Sequence, residues 1–223
     1  MSTPFAKYQA LGNDFVIVDA RSRPELVEDT DFAMRVLDRH RGIGGDDLIL
    51  LTKSSSADIG MRIRTPSGGW LSMCGNGIRC LGRYARDTGL WNGTLLQVET
   101  SVGVRELRWL EGDDGLITAD LDAPNLSAAS IPTTLGAPEE RVLAKPLHLL
   151  DGSKVDVSCV SVGNPHVVVF VDDLAVVQME RLGPAIERHP SFPEGVNVHA
   201  AQVLSRSRAR IFTWERGAGL TLA

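Results

Sequence analysis

Gly12-Asn13-Asp14-Phe15-Val16-Ile17-Val18-Asp19 returns as Gly163-Asn164-Pro165-His166-Val167-Val168-Val169-Phe170-Val171-Asp172, 151 positions later. Each copy joins a Gly-Asn turn to a run of β-branched residues, the pattern of a buried strand. Arg39-His40 returns as Arg188-His189, and Arg62-Ile63-Arg64-Thr65 as Arg210-Ile211-Phe212-Thr213, at offsets of 149 and 148. A nearly constant offset across three separate segments marks an internal duplication. The 223 residues therefore predict two similar domains, 1–117 and 118–223. In the first copy the third segment runs on into Met73-Cys74-Gly75-Asn76-Gly77. The same offset puts a counterpart of Cys74 just past Ala223, so the expectation is a chain trimmed before its second thiol. Two halves that each aim a thiol at one site would suit two-base chemistry.

Working outward, Leu48–Leu51 and Met61–Arg64 read as strands. Between the first two strands, Thr30 or Asp31 is expected to cap a helix through Phe32, Val36 and Leu37, ended by Gly42. Gly75–Thr88 reads as a helix with Ile78, Leu81, Tyr84 and Ala85 on one stripe and Gly89 as its cap. Gly77 and Gly82 weaken that helix but let it lie close to a sheet. Strands 95–100, 104–110 and 116–121 follow, then a Pro-dotted stretch from Ala123-Pro124-Asn125 that reads as a hinge. The second copy repeats the order with strands 155–161 and 166–171, a helix near 179–188, and strands 198–204 and 208–214, where the pattern is expected to stop. The fold class is α/β, with the second domain lacking its central helix and exposing the apolar sheet face that helix would cover.

Composition narrows the function. Hydrophobic residues make up 43% and charged residues 23%, an ordinary globular balance. A formal charge of −5, with no Lys/Arg-rich run, excludes nucleic acid as a main partner. The opening residues lack the apolar core of a signal peptide, and Val167–Val171, the longest apolar run, is too short to span a bilayer. Three cysteines, an odd number without framework spacing, point to a reducing compartment and hence the cytoplasm. No cluster has zinc spacing, so no metal is expected, and neither a P-loop nor a dinucleotide fingerprint occurs.

Cys74 is the leading catalytic candidate. It follows a strand and precedes the start of a helix, whose unpaired N–H groups favour both a thiolate and a bound carboxylate. The alternative reading is a buried small hydrophobe, which suits Cys80 and Cys159 better. Arg79 falls one place early for a phosphatase loop, and Cys74 and Cys80 are not spaced as a redox pair. Asn13 and Asn164 are repeat mates at strand starts. Their alternative is turn chemistry alone. His166 enters a strand beside the second Gly-Asn turn. Glu215-Arg216-Gly217-Ala218-Gly219 offers a guanidinium for a carboxylate, positioned by the neighbouring acid, or simply an exposed ion pair.

Together, Leu11-Gly12-Asn13-Asp14-Phe15, Arg39-His40-Arg41-Gly42-Ile43-Gly44, Met73 through Cys80, Gly163-Asn164-Pro165-His166 and Glu215 through Gly219 resemble the diaminopimelate epimerase family. The resemblance implies two pseudo-symmetric domains, each a sheet curled round a central helix, with the site in the cleft between them. It implies a cofactor-independent isomerase of lysine and peptidoglycan precursor synthesis, acting on a small amino acid, with room for a homodimer. The family's first catalytic cysteine falls on Cys74 and its anion loop on Gly75 and Asn76. Substrate-contacting asparagines fall on Asn13, Asn164 and Asn197. Glu215 and Arg216 fall on its acid–arginine pair, and His166 and Glu215 on groups that tune the cysteines. Thr65, Ser67, Trp70 and Asp47 depart from the family pattern. Thr65 and Asp47 still occupy substrate-side positions, and Asp47 precedes Asn197 by 150.

The implied reaction converts LL-diaminopimelate to the meso form. One thiolate removes the α-proton while an opposed thiol returns one. Without its second cysteine, the 223-residue chain is expected to be inactive alone. Two other readings stand beside this one: a proline or hydroxyproline racemase-like enzyme, and a non-catalytic binding remnant.

Overall fold

A computed structural model describes residues 2–110 and 116–222. Ala223, next to which the second thiol loop is expected, lies outside the described residues. The chain forms two compact units, one running to Leu121 and the other spanning Asp122–Leu222.

The first unit contains β1 (Ala6–Ala10), β2 (Asn13–Asp19), α1 (Glu25–Glu28), α2 (Thr30–Leu37), β3 (Asp47–Thr52), β4 (Ile59–Arg64), β5 (Trp70–Leu71), α3 (Gly75–Asp87), β6 (Leu95–Thr100), β7 (Gly103–Trp109) and β8 (Ile117–Ala119). Its sheet runs β1-β2-β3-β4-β6-β7-β8, with β5 paired to β4. β2 and β3 are parallel, Phe15 opposite Asp47, and α2 lies in their crossover. Both strands are apolar on both faces because both faces are covered. Phe15, Ile17, Ile49, Leu51, Met61 and Ile63 pack with Ile78, Leu81 and Ala85 of α3. Val16, Val18, Leu48 and Leu50 pack with Ala33 and Leu37 of α2.

The helix ends correct two expectations. Asp29 caps α2, its carboxylate accepting from the Phe32 N–H at 2.8 Å. Thr30 and Asp31 are already within the first turn; the cap is the last residue with non-helical backbone. The helix stops at Leu37, before Gly42. Asp38 then accepts from the N–H groups of His40 and Arg41 at 2.8 and 2.9 Å and turns the chain. Gly42 instead sits on the end of the helix, where a Cβ would lie 2.0 Å from the Arg35 carbonyl oxygen. α3 closes on Thr88, and Gly89 follows in the left-handed region at φ +70°. Gly77 and Gly82 allow the close seating of α3: a Cβ on Gly77 would be 3.2 Å from Ile49, and on Gly82 2.7 Å from Leu107.

The second unit contains β9 (Lys145–His148), β10 (Lys154–Ser161), β11 (Pro165–Phe170), α4 (Met179–Glu187), β12 (Asn197–Ser205), β13 (Arg208–Glu215) and β14 (Gly219–Thr221). Its sheet order is β14-β13-β12-β11-β10-β9. β11 and β12 are parallel with His166 opposite Asn197, and α4 lies in their crossover. The pairings of β1 through β5 thus recur in β10 through β14. The repeat does not stop after β13, as expected; β14 pairs with β13, Glu215 opposite Gly219, as β5 pairs with β4. A three-residue strand on a glycine turn has too little periodicity to stand out in sequence. Val167, Val169, Val198 and Ala200 pack with Met179 and Ile186 of α4. The opposite face carries His166, Val168, His199 and Thr213, and among the described residues no helix covers it; Phe170 and Ile211 there are 62% and 56% exposed. No described helix is long and apolar enough to cross a membrane.

Gly183 of α4 faces Trp214, whose ring would lie 2.3 Å from an added Cβ. The indole N–H donates to Glu187 Oε2 at 2.7 Å, so the ring is pinned. Gly183→Val should therefore destabilise by about 1–3 kcal/mol through overpacking. Thermal denaturation reads this, and an unchanged Tm would show that the ring can swing aside.

Candidate functional site

In the first unit, the candidate residues gather where β2 and β3 begin and α3 starts. Cys74 is the N-cap of α3, with extended backbone at φ −143° and ψ 115°. Its sulfur accepts from the Gly77 N–H at 3.4 Å. Asn13 Nδ2 also lies 4.0 Å from that sulfur. These donors favour negative charge on the sulfur. Gly75 and Asn76 occupy the first turn, where backbone N–H groups have no intrahelical acceptor. The Asn76 side-chain oxygen is engaged by the Arg79 guanidinium. Asn13 is 6% exposed, and its Oδ1 is buried without a hydrogen-bond partner in the protein. A buried acceptor left unpaired costs about 1–3 kcal/mol, so this atom is suited to a ligand donor. Asp47, at the start of β3, is nearly as buried. Thr65 is engaged locally, its hydroxyl 3.0 Å from Ser67 Oγ.

The motifs flanking Asn13 and Asp47 form a clamp. Asp14 N–H donates to Asp46 Oδ2 at 2.9 Å, and Asp46 N–H returns a bond to Asp14 Oδ1 at 3.1 Å. The Arg39 guanidinium bridges both carboxylates at 2.6 and 2.8 Å, and Lys7 reaches Asp14 at 2.6 Å. Burial pushes the Asp14 carboxyl up, but the bonds from Arg39, Lys7 and Asp46 overcome it and hold it well below the usual range. Asp14, Arg39 and Asp46 therefore fix the strand ends that present Asn13 and Asp47.

In the second unit, Gly163 takes φ +102° and turns Asn164 into β11. Asn164 Oδ1 lies 2.8 Å from His166 Nε2, and His166 Nδ1 lies 2.8 Å from His199 Nε2. His199 Nδ1 in turn lies 3.1 Å from the Thr213 hydroxyl. Burial, with His199 and Arg216 nearby, pushes His166 down to about 4, and burial lowers His199 as well. Asn197 uses both ends of its amide within the protein, donating to the Pro165 carbonyl at 3.2 Å and accepting from the Arg216 N–H at 2.9 Å. It ties β12 to the Arg216 turn.

The expected support of Arg216 by Glu215 is not what the structure shows. The Arg216 guanidinium donates to the Glu194 carbonyl at 2.9 Å and lies over Gly195, where a Cβ would meet it at 3.0 Å. Neighbouring residues at a strand end point in opposite directions, so the acid cannot align its neighbour. Glu215 accepts from Thr221 on β14 at 3.2 Å. Glu187 holds the turn instead, accepting from the Gly217 N–H at 2.9 Å and from Trp214.

Sequence reasoning missed His199, Thr213 and Glu187. One signal was available for His199: two residues after Asn197 on a strand, it shares that residue's face. Cys80 and Cys159 are buried in the two cores.

The family model described as diaminopimelate epimerase matches residues 5–126 and 158–223. The chain is 44% identical to the diaminopimelate epimerase of Synechococcus sp. (strain JA-3-3Ab), over 98% of this chain and 78% of that protein. It is 43% identical to the diaminopimelate epimerase of Pelotomaculum thermopropionicum, over 98% and 78%. Among solved structures, it is similar to a probable proline racemase from Agrobacterium radiobacter K84, with a TM-score of 0.69 and 13% identity over 100% of this chain and 73% of that one. A hydroxyproline epimerase from Agrobacterium vitis gives a TM-score of 0.66 at 15% identity, over 98% and 72%. At such identities the likeness concerns the fold alone: mixed α/β units built on curled sheets.

Two outcomes follow from this geometry. Burial pushes the Cys80 thiol up to about 11 and the Cys159 thiol up to about 12. At pH 8 iodoacetamide should therefore alkylate Cys74 first, and peptide mapping that finds Cys80 or Cys159 modified as fast would contradict their burial. Separately, His166 and His199 titrate lower when folded than the ~6.5 of an unfolded histidine, so the unfolded chain binds more protons below that pH. Stability should fall as pH drops from about 6.5 towards about 4. Urea midpoints read this, and equal midpoints at pH 7 and 5 would refute it.

Proposed function

The chain belongs to the diaminopimelate epimerase family, and from that premise we propose that Cys74 is one of the two bases that invert the substrate's α-carbon. The activity is an isomerase reaction, the interconversion of LL- and meso-diaminopimelate in the route to lysine. The α-proton is a very weak acid, and its removal places negative charge on the adjacent carboxylate. A thiolate at Cys74 takes the proton. The N–H groups of Gly75 and Asn76 at the start of α3 receive the carboxylate and stabilise the charge that develops on it.

One observation carries this assignment. Asn13 sends its amide nitrogen towards the Cys74 sulfur and leaves a buried oxygen without a protein donor. A substrate ammonium placed on that oxygen brings the α-carbon beside the sulfur. Asp47, at the start of the adjacent strand, adds negative charge for the same ammonium. The opposed acid is a second thiol that neither Cys80 nor Cys159 supplies, because both are sealed in the cores. In the second unit, Arg216 is assigned to the substrate's distal carboxylate and Asn164 to a further substrate contact. His166, kept neutral by burial, and Glu215 are assigned to tuning a reacting thiol. Thr65 contributes through its hydroxyl. The odd, unbridged cysteines support a reducing, cytoplasmic setting.

A proline or hydroxyproline racemase reading is not favoured, because it rests on structural likeness at 13–15% identity.

The test is exchange of the substrate α-proton in heavy water. In the complete gene product, with both thiols in place, deuterium should enter the α-carbon of the meso product formed from LL-diaminopimelate, and Cys74→Ala should slow this by roughly 10²–10⁴-fold, the typical contribution of a positioned proton-transfer group. Unchanged exchange in the variant would remove Cys74 from the chemistry.

A further inference from the structure

Resting on the reading of His166 as a neighbour of the reacting groups, we propose that His199 and Thr213 are positioning residues that hold His166 as the neutral Nε2–H tautomer. Four side chains form a single line: Asn164 Oδ1 to His166 Nε2 at 2.8 Å, His166 Nδ1 to His199 Nε2 at 2.8 Å, and His199 Nδ1 to Thr213 Oγ1 at 3.1 Å. The direction of each bond follows from its neighbour. An amide oxygen only accepts, so His166 Nε2 carries the proton. The other nitrogen of a neutral imidazole is then a lone pair, so His199 must donate from Nε2. That leaves His199 Nδ1 as an acceptor, and the Thr213 hydroxyl is the group that supplies its proton.

The backbone makes this line rigid. His199 lies opposite Val168 of β11 and opposite Thr213 of β13, so three hydrogen-bonded strands set the spacing. The two rings are nearly parallel, with centroids 5.1 Å apart. Thr213 is buried, and its hydroxyl is the far anchor. Protonating His166 would set N–H against N–H unless His199 changed tautomer and Thr213 turned from donor to acceptor. The other groups near His166 are Asn197 across the β11–β12 pair and Val160 across the β10–β11 pair. Arg216 adds a positive field that opposes protonation, and the acids on the His166 face are Glu215, two residues past Thr213 on β13, and Asp156, two residues before Ser158 on β10.

The line also has an output. With its oxygen turned in to His166, Asn164 keeps its NH₂ group for an acceptor outside the relay. A lone histidine at position 166 could hold Asn164 in either orientation; the Thr213–His199 pair selects one. His199 and Thr213 thereby act on the site without touching substrate.

Ring-nitrogen NMR of the chain labelled with ¹⁵N-histidine tests this without substrate or turnover. In the wild type, His166 should show a protonated Nε2 and a bare Nδ1, unchanged between pH 7.5 and 5. His199→Phe, which removes the donor, should mix the His166 tautomers and raise its titration midpoint, with burial still holding it below the ordinary ~6.5. His199→Gln restores an N–H donor near the lost Nε2 and should return both properties towards the wild type. Thr213→Val should mix the His199 tautomers while leaving the backbone amide spectrum in place. A wild-type His166 carrying its proton on Nδ1 would reverse the relay and overturn the proposal, as would a His166 midpoint that His199→Phe leaves unmoved. The readout does not depend on Cys74, so failure of the deuterium-exchange test and failure of the relay are separate results.

Discussion

The parallel pairing of the two strands that begin each repeat is the constraint on which the rest of the structure depends. Phe15 lies opposite Asp47 in one unit and His166 opposite Asn197 in the other. Parallel strands need a crossover, and α2 and α4 supply it in their respective units. The strand starts then share one end of each sheet, where the antiparallel third strand, β4 or β13, finishes. Asn13, Asp47 and Thr65 are brought to that end in the first unit, and Asn164, His166, Asn197 and Glu215 in the second. Polar groups suited to a ligand sit at strand ends because their backbones need not be covered by the core.

Within that frame, the two units use different means to make polar groups rigid. The first uses charge: Arg39 bridges Asp14 and Asp46, whose backbones are cross-bonded, and the turn at Gly12-Asn13 is held from one side. The second uses neutral hydrogen bonds in a line through Asn164, His166, His199 and Thr213. The difference follows burial. Carboxylates paired with a largely exposed guanidinium stay ionised, whereas two half-buried imidazoles cost least as neutral rings that satisfy one another.

Much of this was legible in the chain itself. The repeat offset located the first strand of each parallel pair, because buried strands need β-branched runs and turns need Gly-Asn; the pairing itself came from the structure. Cys74 at the head of α3 was legible for the same reason: strand, small residues, then an apolar stripe. The residues that read as a motif around Arg39 were visible, but their purpose was not. The partners of Arg39 lie 25 and 7 positions away, and no periodicity connects them. The support of Arg216 was misread because adjacency in sequence suggested Glu215, whereas strand geometry turns neighbours apart and delivers the Glu194 carbonyl. β14 was lost to its short length, and the Asp29 cap was missed because Thr30 and Asp31 offer the same capping chemistry one and two residues later.

By itself the sequence determined that the fold is duplicated, that each copy opens with a Gly-Asn turn into a buried strand, and that one cysteine heads a helix. Those properties are local: they rest on side-chain period, backbone freedom at glycine and capping chemistry within a few residues. Only the tertiary structure decided which polar atoms are satisfied and which are left over. It spent both ends of Asn197 on the protein, left Asn13 Oδ1 buried and unpaired, and joined His166 to a histidine 33 residues away. Hydrogen-bond satisfaction depends on contacts between distant strands, and these exist only once the sheets have set their register.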